Sequence, residues 1–183
     1  MEQIEKSTPE VTSRLCIDCG LCCQGNICRV ELTADELDKF SGLDLALHPQ
    51  ADQTYIFSHA CPQFHDGGCA IYFDGQPKDC SSYQCHTLKQ LSDGKIDPTV
   101  AHQRMQRIKQ LIGMVLERLQ PGKPEKTNLQ DLIRSWLKEK RYEQDAALLN
   151  AIRNLLTDID RDVHSQKRLL PKLPSEQKGT ADR

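Results

Sequence analysis

No run in this chain approaches the roughly 18 consecutive apolar residues of a membrane-spanning helix. The opening MEQIEKSTPEVTSR has no apolar core and is too acidic for a secretory signal or transit peptide. The expected compartment is therefore the cytoplasm, where thiols are kept reduced, and no membrane partner is expected. Aromatic residues are scarce, at 5%, with a single Trp. There is no Gly-rich phosphate loop, no HExxH and no GxSxG, which argues against several common enzyme classes. Cysteine is missing from everything after Cys85.

The 183 residues suffice for one domain with a buried core, so staples are not needed for folding. The formal net charge of −2 points to neither a nucleic-acid nor a membrane partner. The halves nevertheless differ. Residues 1–97 carry 7 Lys/Arg against 15 Asp/Glu, and residues 98–183 carry 17 against 11. An acidic surface packed on a basic one accounts for this. A basic helical face meeting an acidic protein partner is the sharper alternative.

All nine cysteines fall between Cys16 and Cys85. Cysteine chosen for packing would scatter, so the clustering needs a chemical cause. Disulfides fit poorly with an odd count and a reducing compartment. Buried thiols explain single cysteines but not the run CIDCGLCC at residues 16–23. Metal ligation does explain it, because two thiolates separated by two residues on a tight turn converge on one ion. Gly20 and Gly25 suit the left-handed turns such loops need.

Adjacent side chains in an extended stretch diverge, so Cys22 and Cys23 are expected to serve different places. Two four-thiolate sites, or one multinuclear cluster, would follow. The later cysteines, Cys61, Cys69, Cys80 and Cys85, lie among Pro62, Gly67, Gly68, Gly75 and Pro77, a turn-rich background. Ile71, Tyr72, Phe73 and Tyr83 are expected to form an apolar shell there. Cys28 stands apart and reads as a core residue or a free thiol. Four thiolates suit zinc and iron–sulfur clusters alike. Cys16, Cys19 and Cys22, with a remote Cys61 followed by Pro62, echo the bacterial ferredoxin pattern, which favours [4Fe–4S]. His59, His65 and His86 lie beside cysteines and could be ligands, but eight thiols already suffice. His48, His102 and His164 lack that context.

The series Cys16-x-x-Cys19-x-x-Cys22-Cys23, Cys61-Pro62, Cys69-Ala-Ile71-Tyr72, and Pro77-x-x-Cys80-x-x-Tyr83-x-Cys85 resembles the YkgJ-type CxxCxxCC cysteine-cluster family. That family is described as zinc- or iron-chelating. The resemblance covers about residues 14–88. It implies that Cys16, Cys19, Cys22, Cys23, Cys61, Cys69, Cys80 and Cys85, and not Cys28, are the metal ligands. The family often reads C-x-I-Y-x-x-R-P-x-x-C-R in its third block. Here Tyr72 to Pro77 is one residue longer, Gln76 stands in place of the Arg, and Ser81 follows Cys80. A related cluster occurs in flagellin lysine N-methylases, which makes an accessory enzyme one alternative. The others are an iron–sulfur redox protein and a zinc-organised interaction module.

Elsewhere Thr33 and Glu36 spell a capping box, predicting a helix from Ala34. Tyr55–Phe57 reads as a short strand. Asp97-Pro98 opens a helix whose apolar stripe runs from Val100 through Met105, Ile108, Leu111, Ile112 and Val115 to Leu119. Pro121-Gly122 ends it. Two more helices are expected, about Leu129 to Arg141 and Glu143 to Gln166. The expected fold is mostly α, with irregular, metal-organised Cys-rich loops and a C-terminal helical hairpin or three-helix layer. Its divisions are a tail over 1–13, a Cys-rich zinc- or iron-chelating domain over 14–96, a helical region over 97–168 and a disordered tail over 169–183.

Overall fold

A computed structural model of the chain describes residues 9–25, 29–40, 42–43, 45, 47–57, 60–121, 128–163 and 173. Cys28, His59 and His164 lie outside them, as does the predicted helix continuation to Gln166. Of the tail over 169–183, Leu173 alone is described, and it packs half-buried against the helical core.

The described chain is mostly helical with little sheet. In order it forms α1 (Pro9–Cys19), β1 (Val30–Leu32), α2 (Ala34–Phe40), β2 (His48–Pro49), β3 (Tyr55–Phe57), β4 (Phe64–His65) and β5 (Gly68–Cys69). Then come α3 (Lys78–Ser82), α4 (His86–Ser92), α5 (Pro98–Leu119), α6 (Leu129–Lys138), a 3-10 turn (Arg141–Glu143) and α7 (Ala146–Asp162). No described helix is long and apolar enough to cross a membrane.

The C-terminal layer follows its sequence signals. The Asp97 carboxylate accepts the Val100 N–H at 2.9 Å, with Pro98 in the first turn of α5. The α5 stripe buries Met105, Ile108, Ile112, Val115 and Leu119, while Val100 and Leu111 are only partly covered. The whole α7 stripe from Leu148 to Val163 is buried. Helix α6 stops at Lys138, short of the predicted Arg141, because Lys140 turns left-handed at φ 55° and a 3-10 turn follows. Helix α7 starts at Ala146, not Glu143, because the Asp145 side chain caps it by accepting the Leu148 N–H at 2.9 Å.

Several arginines of this layer pair with its own carboxylates, which leaves the net basic excess of the half unchanged. Buried Asp158 pairs with Arg107 at 2.8 Å and Arg161 at 3.0 Å, and Arg118 pairs with Asp145.

The N-terminal half holds a second, smaller core of Leu32, Phe40 and Phe57. Strands β1 and β2 flank β3, both antiparallel to it, and β4 pairs with β5 as a separate hairpin. The predicted capping box is formed: Glu36 accepts the Thr33 N–H at 3.0 Å and Thr33 Oγ accepts the Glu36 N–H at 3.4 Å.

Two expectations change here. Residues 9–13, read as tail, are the first turns of α1, although that helix buries only Leu15. The cysteines are not all on loops, since α1 carries Cys16 and Cys19 and α3 carries Cys80.

Candidate metal centre

Cys16 and Cys19, three residues apart on α1, share one helix face. Gly20 ends the helix in the left-handed region at φ 61°, its N–H donating to the Cys16 carbonyl at 3.2 Å. A Cβ at Gly20 would fall 2.1 Å from the Phe64 ring, so glycine also lets β4 close on the end of α1. The chain then turns tightly. Gln24 N–H donates to the Gly20 carbonyl at 2.9 Å, and Gly25 sits at φ 69°. Cys22 and Cys23 therefore lie in a turn, not in the extended stretch expected. Buried Asn128, the N-cap of α6, donates its amide to the Gly25 carbonyl at 3.0 Å and fixes this turn to the helical layer.

The α1 end and the turn edge a cavity of about 50 Å³, lined by Cys16, Cys19, Cys22, Cys23 and Cys85. Its remaining wall is mainly apolar and includes Leu15, Leu21, Leu88, Met105 and Val163. The space would take a few waters' volume, and hence an ion. Cys85 reaches it as the N-cap of α4, its sulfur accepting the Leu88 N–H at 3.4 Å.

The mount for Cys85 is the C-terminal end of α7. Tyr83 Oη donates to the Val163 carbonyl at 2.9 Å, Thr87 Oγ to that of Asp162 at 2.8 Å, and His86 N–H to that of Val163 at 3.2 Å. These bonds satisfy carbonyls that every helix end leaves without an internal partner. His86 Nδ1–H donates to the Arg161 carbonyl at 2.8 Å while its Nε2 accepts from Gln90 at 3.1 Å. Both ring nitrogens are thus engaged, and His86 is a strut rather than a ligand. His65 is exposed and pairs with Asp66 at 3.1 Å.

The other cysteines gather around Cys23. Cys61 N–H donates to the Cys23 carbonyl at 2.6 Å. Phe64 N–H donates to the Cys61 carbonyl at 3.0 Å, and Phe64 pairs with Cys69 across β4–β5. Helix α3, bearing Cys80, is tied to α2 and β1: Glu36 accepts the Lys78 N–H at 2.6 Å, and Asp79 accepts the Glu31 N–H at 3.0 Å. Gln76 donates its amide toward Cys69 Sγ at 3.9 Å. Tyr72 lies near Ser13, Cys16 and Cys69, and burial raises its hydroxyl.

Burial pushes the Cys85 thiol up to about 12, with Cys19 and Cys16 adding to it. Burial also pushes Cys23 far up, reinforced by Cys69, Cys61, Cys80 and Cys16 in that order. Cys61 is raised as well, by burial first. Without a cation such thiols stay protonated, since a thiolate there would be both desolvated and repelled by its neighbours. A bound metal supplies the missing positive charge. The donor set is thus chemically suited to a thiolate-binding metal. Among the described residues no disulfide bridges these cysteines, and no three His, Cys, Asp or Glu side chains already stand in metal-holding geometry.

The expected apolar shell is only partly formed. Tyr83 packs against the main core and Ile71 against the smaller one, but Phe73 is 81% exposed. Phe73 follows Tyr72 in a turn, and its ring meets Tyr72 edge-on at 5.1 Å, on the outside of the fold. Asn128 and the α7 end were not singled out from sequence. Asn128 before a helical stripe is a legible cap, but its reach to Gly25 spans 103 residues and has no local signal.

No family model, curated protein or solved structure matches the chain.

Proposed function

We propose that this chain holds a metal through the thiolates of Cys16, Cys19, Cys22, Cys23, Cys61, Cys69, Cys80 and Cys85, with an iron–sulfur redox centre as the first reading. One observation carries the proposal: Cys16, Cys19, Cys22, Cys23 and Cys85, from two separate stretches of chain, line one small cavity, and the Cys61 N–H is seated on the Cys23 carbonyl at its edge. A cation is the simplest group that such a donor set accommodates. Thiolate-bound iron–sulfur clusters supply one-electron transfer when bound. The apolar wall of Leu15, Leu88, Met105 and Val163, and the N–H bond to Cys85 sulfur, are the kind of surroundings that set a reduction potential.

The same donors fit zinc. A specific feature favours that second reading: among the described residues the smaller core buries only Leu32, Phe40 and Phe57, so a structural ion would contribute folding free energy outright. In either case the cytoplasm, which keeps thiols reduced, suits the centre. The resemblance to the CxxCxxCC family fits both readings. Gln76, placed against Cys69, would give a neutral hydrogen bond where that family carries an arginine.

The deciding measurement is iron, zinc and acid-labile sulfide on anaerobically purified full-length protein, with a visible spectrum. Iron matched by sulfide, with colour that bleaches on reduction, supports the redox centre. Stoichiometric zinc without colour makes the cysteine half a scaffold. Protein that takes up neither metal on anaerobic reconstitution sinks both.

A further inference from the structure

We infer that the eight thiolates form two centres: Cys16, Cys19, Cys22 and Cys85 hold one, and Cys23, Cys61, Cys69 and Cys80 hold the other. This rests on the metal-binding reading above and goes beyond it by saying which thiols share an ion or cluster.

The first group is defined by a common wall. Its members all line the roughly 50 Å³ cavity beneath the end of α1. Cys61, which continues the ferredoxin-like pattern in sequence, stands outside that lining, and Cys85 takes its place. The second group is defined by backbone bonds. The Cys61 N–H is seated on the Cys23 carbonyl, and Cys61 and Cys69 are held together by the turn into the β4–β5 hairpin. The bonds from Lys78 to Glu36 and from Glu31 to Asp79 hold the Cys80 helix against β1 and α2. Cys23 edges the cavity too, but its carbonyl seats the Cys61 N–H, and Cys61 packs on the small core of Leu32, Phe40 and Phe57 against which the Cys80 helix is held.

The chemistry agrees with this division. Four thiolates complete the shell of a zinc ion or of one cluster, so eight are two full sets. Where a Cys-Pro cysteine follows CxxCxxC in two-cluster ferredoxins, it ligates the other cluster, and Cys61-Pro62 likewise falls in the second group here. The two mounts also differ. The first set is bolted to the main core through Leu88, Met105 and the α7 end, whereas the second hangs on the smaller unit. A chelator should therefore strip the second centre first.

The test uses full-length protein reconstituted anaerobically, once with zinc and once with iron and sulfide. Single variants Cys19→Ser and Cys85→Ser report the first set, and Cys61→Ser and Cys69→Ser the second. Each should keep about half the wild-type metal, because the other set remains complete. Cys19→Ser/Cys85→Ser should lose no more than either single, and Cys61→Ser/Cys85→Ser should lose nearly all. A single variant that loses all its metal while keeping its helical circular dichroism overturns the division in favour of one shared centre. If serine variants do not fold, chelator titration of the wild-type protein decides: two steps of equal amplitude are expected, and a single step overturns the division. Wild-type protein without metal would overturn the metal reading itself, whereas full metal loading released in one step overturns only the pairing.

Discussion

The helical layer and the strand-bearing half are held together by different means. In the main core twenty-one buried residues, from Leu15 to Val163, pack into one continuous cluster. In the smaller one, among the described residues, only Leu32, Phe40 and Phe57 are buried. Hydrophobic burial scales with apolar area, so the first region folds on packing while the second has too few such groups to stand alone. What the second has instead is tethers: the Gly20–Phe64 approach, the Glu36–Lys78 and Asp79–Glu31 bonds, and the cysteines. A region poor in core and rich in thiols is where a metal would contribute most to folding.

Four experiments would break or sharpen that contrast. The largest effect is expected from metal removal. Trp136 is the sole tryptophan, is buried at 2% exposure and belongs to the helical layer. Stripping metal should therefore expose the hairpin around β4–β5 to protease while leaving tryptophan emission nearly unchanged. A large red shift on chelation would show that both regions depend on the metal. Next is Ile152→Ala in the main core, where the side chain is fully buried. Truncation should cost about 2–5 kcal/mol in denaturant unfolding. A cost below 1 kcal/mol would mean this layer is less tightly packed than its burial indicates.

Gly20→Ala should cost on the order of 1–3 kcal/mol, since the added carbon meets the Phe64 ring at a left-handed φ of 61°. A thermal melt that does not move would refute the close approach. The smallest effect belongs to Glu36. Burial would raise its carboxyl, but hydrogen bonds from Lys78 and Thr33 prevail and hold it below its ordinary 4.5. A depressed carboxyl stabilises the fold above its unfolded value and loses that contribution as pH falls through the folded one. Glu36→Gln should therefore cost about 0.5 kcal/mol at neutral pH, small because the group is exposed, and the gap to wild type should close below about pH 4.5. An unchanging gap between pH 7 and pH 3 would separate the cap from its charge.

The sequence discloses the helical layer far better than the cysteine half, for a physical reason. Asp97, Pro98 and the stripe from Met105 to Leu119 act within a few residues of one another, as do Thr33 and Glu36. Local chemistry decides those elements. Helix α1 is mostly polar and buries Leu15 alone, so its helicity comes from packing against α4 and α5, which no local pattern announces. The eight candidate ligands are proposed from their spacing and the family resemblance it carries, whereas the proposed grouping depends on contacts between distant segments that no spacing announces. Cys85 lines the same cavity as Cys16, Cys19 and Cys22, its segment held by bonds from Tyr83, His86 and Thr87 to the last carbonyls of α7.

Those bonds have a consequence in time. Tyr83 waits for Val163, a partner 80 residues further along the chain. At a synthesis rate of roughly 5–20 residues per second, that is a delay of about 4–16 s between the emergence of the two. During it the CIDCGLCC run is already made, but Cys85 has no seat. A nascent chain would thus carry Cys85 without its mount until α7 emerges, so any metal held by the proposed Cys85 group would be loaded only once α7 has closed on that mount.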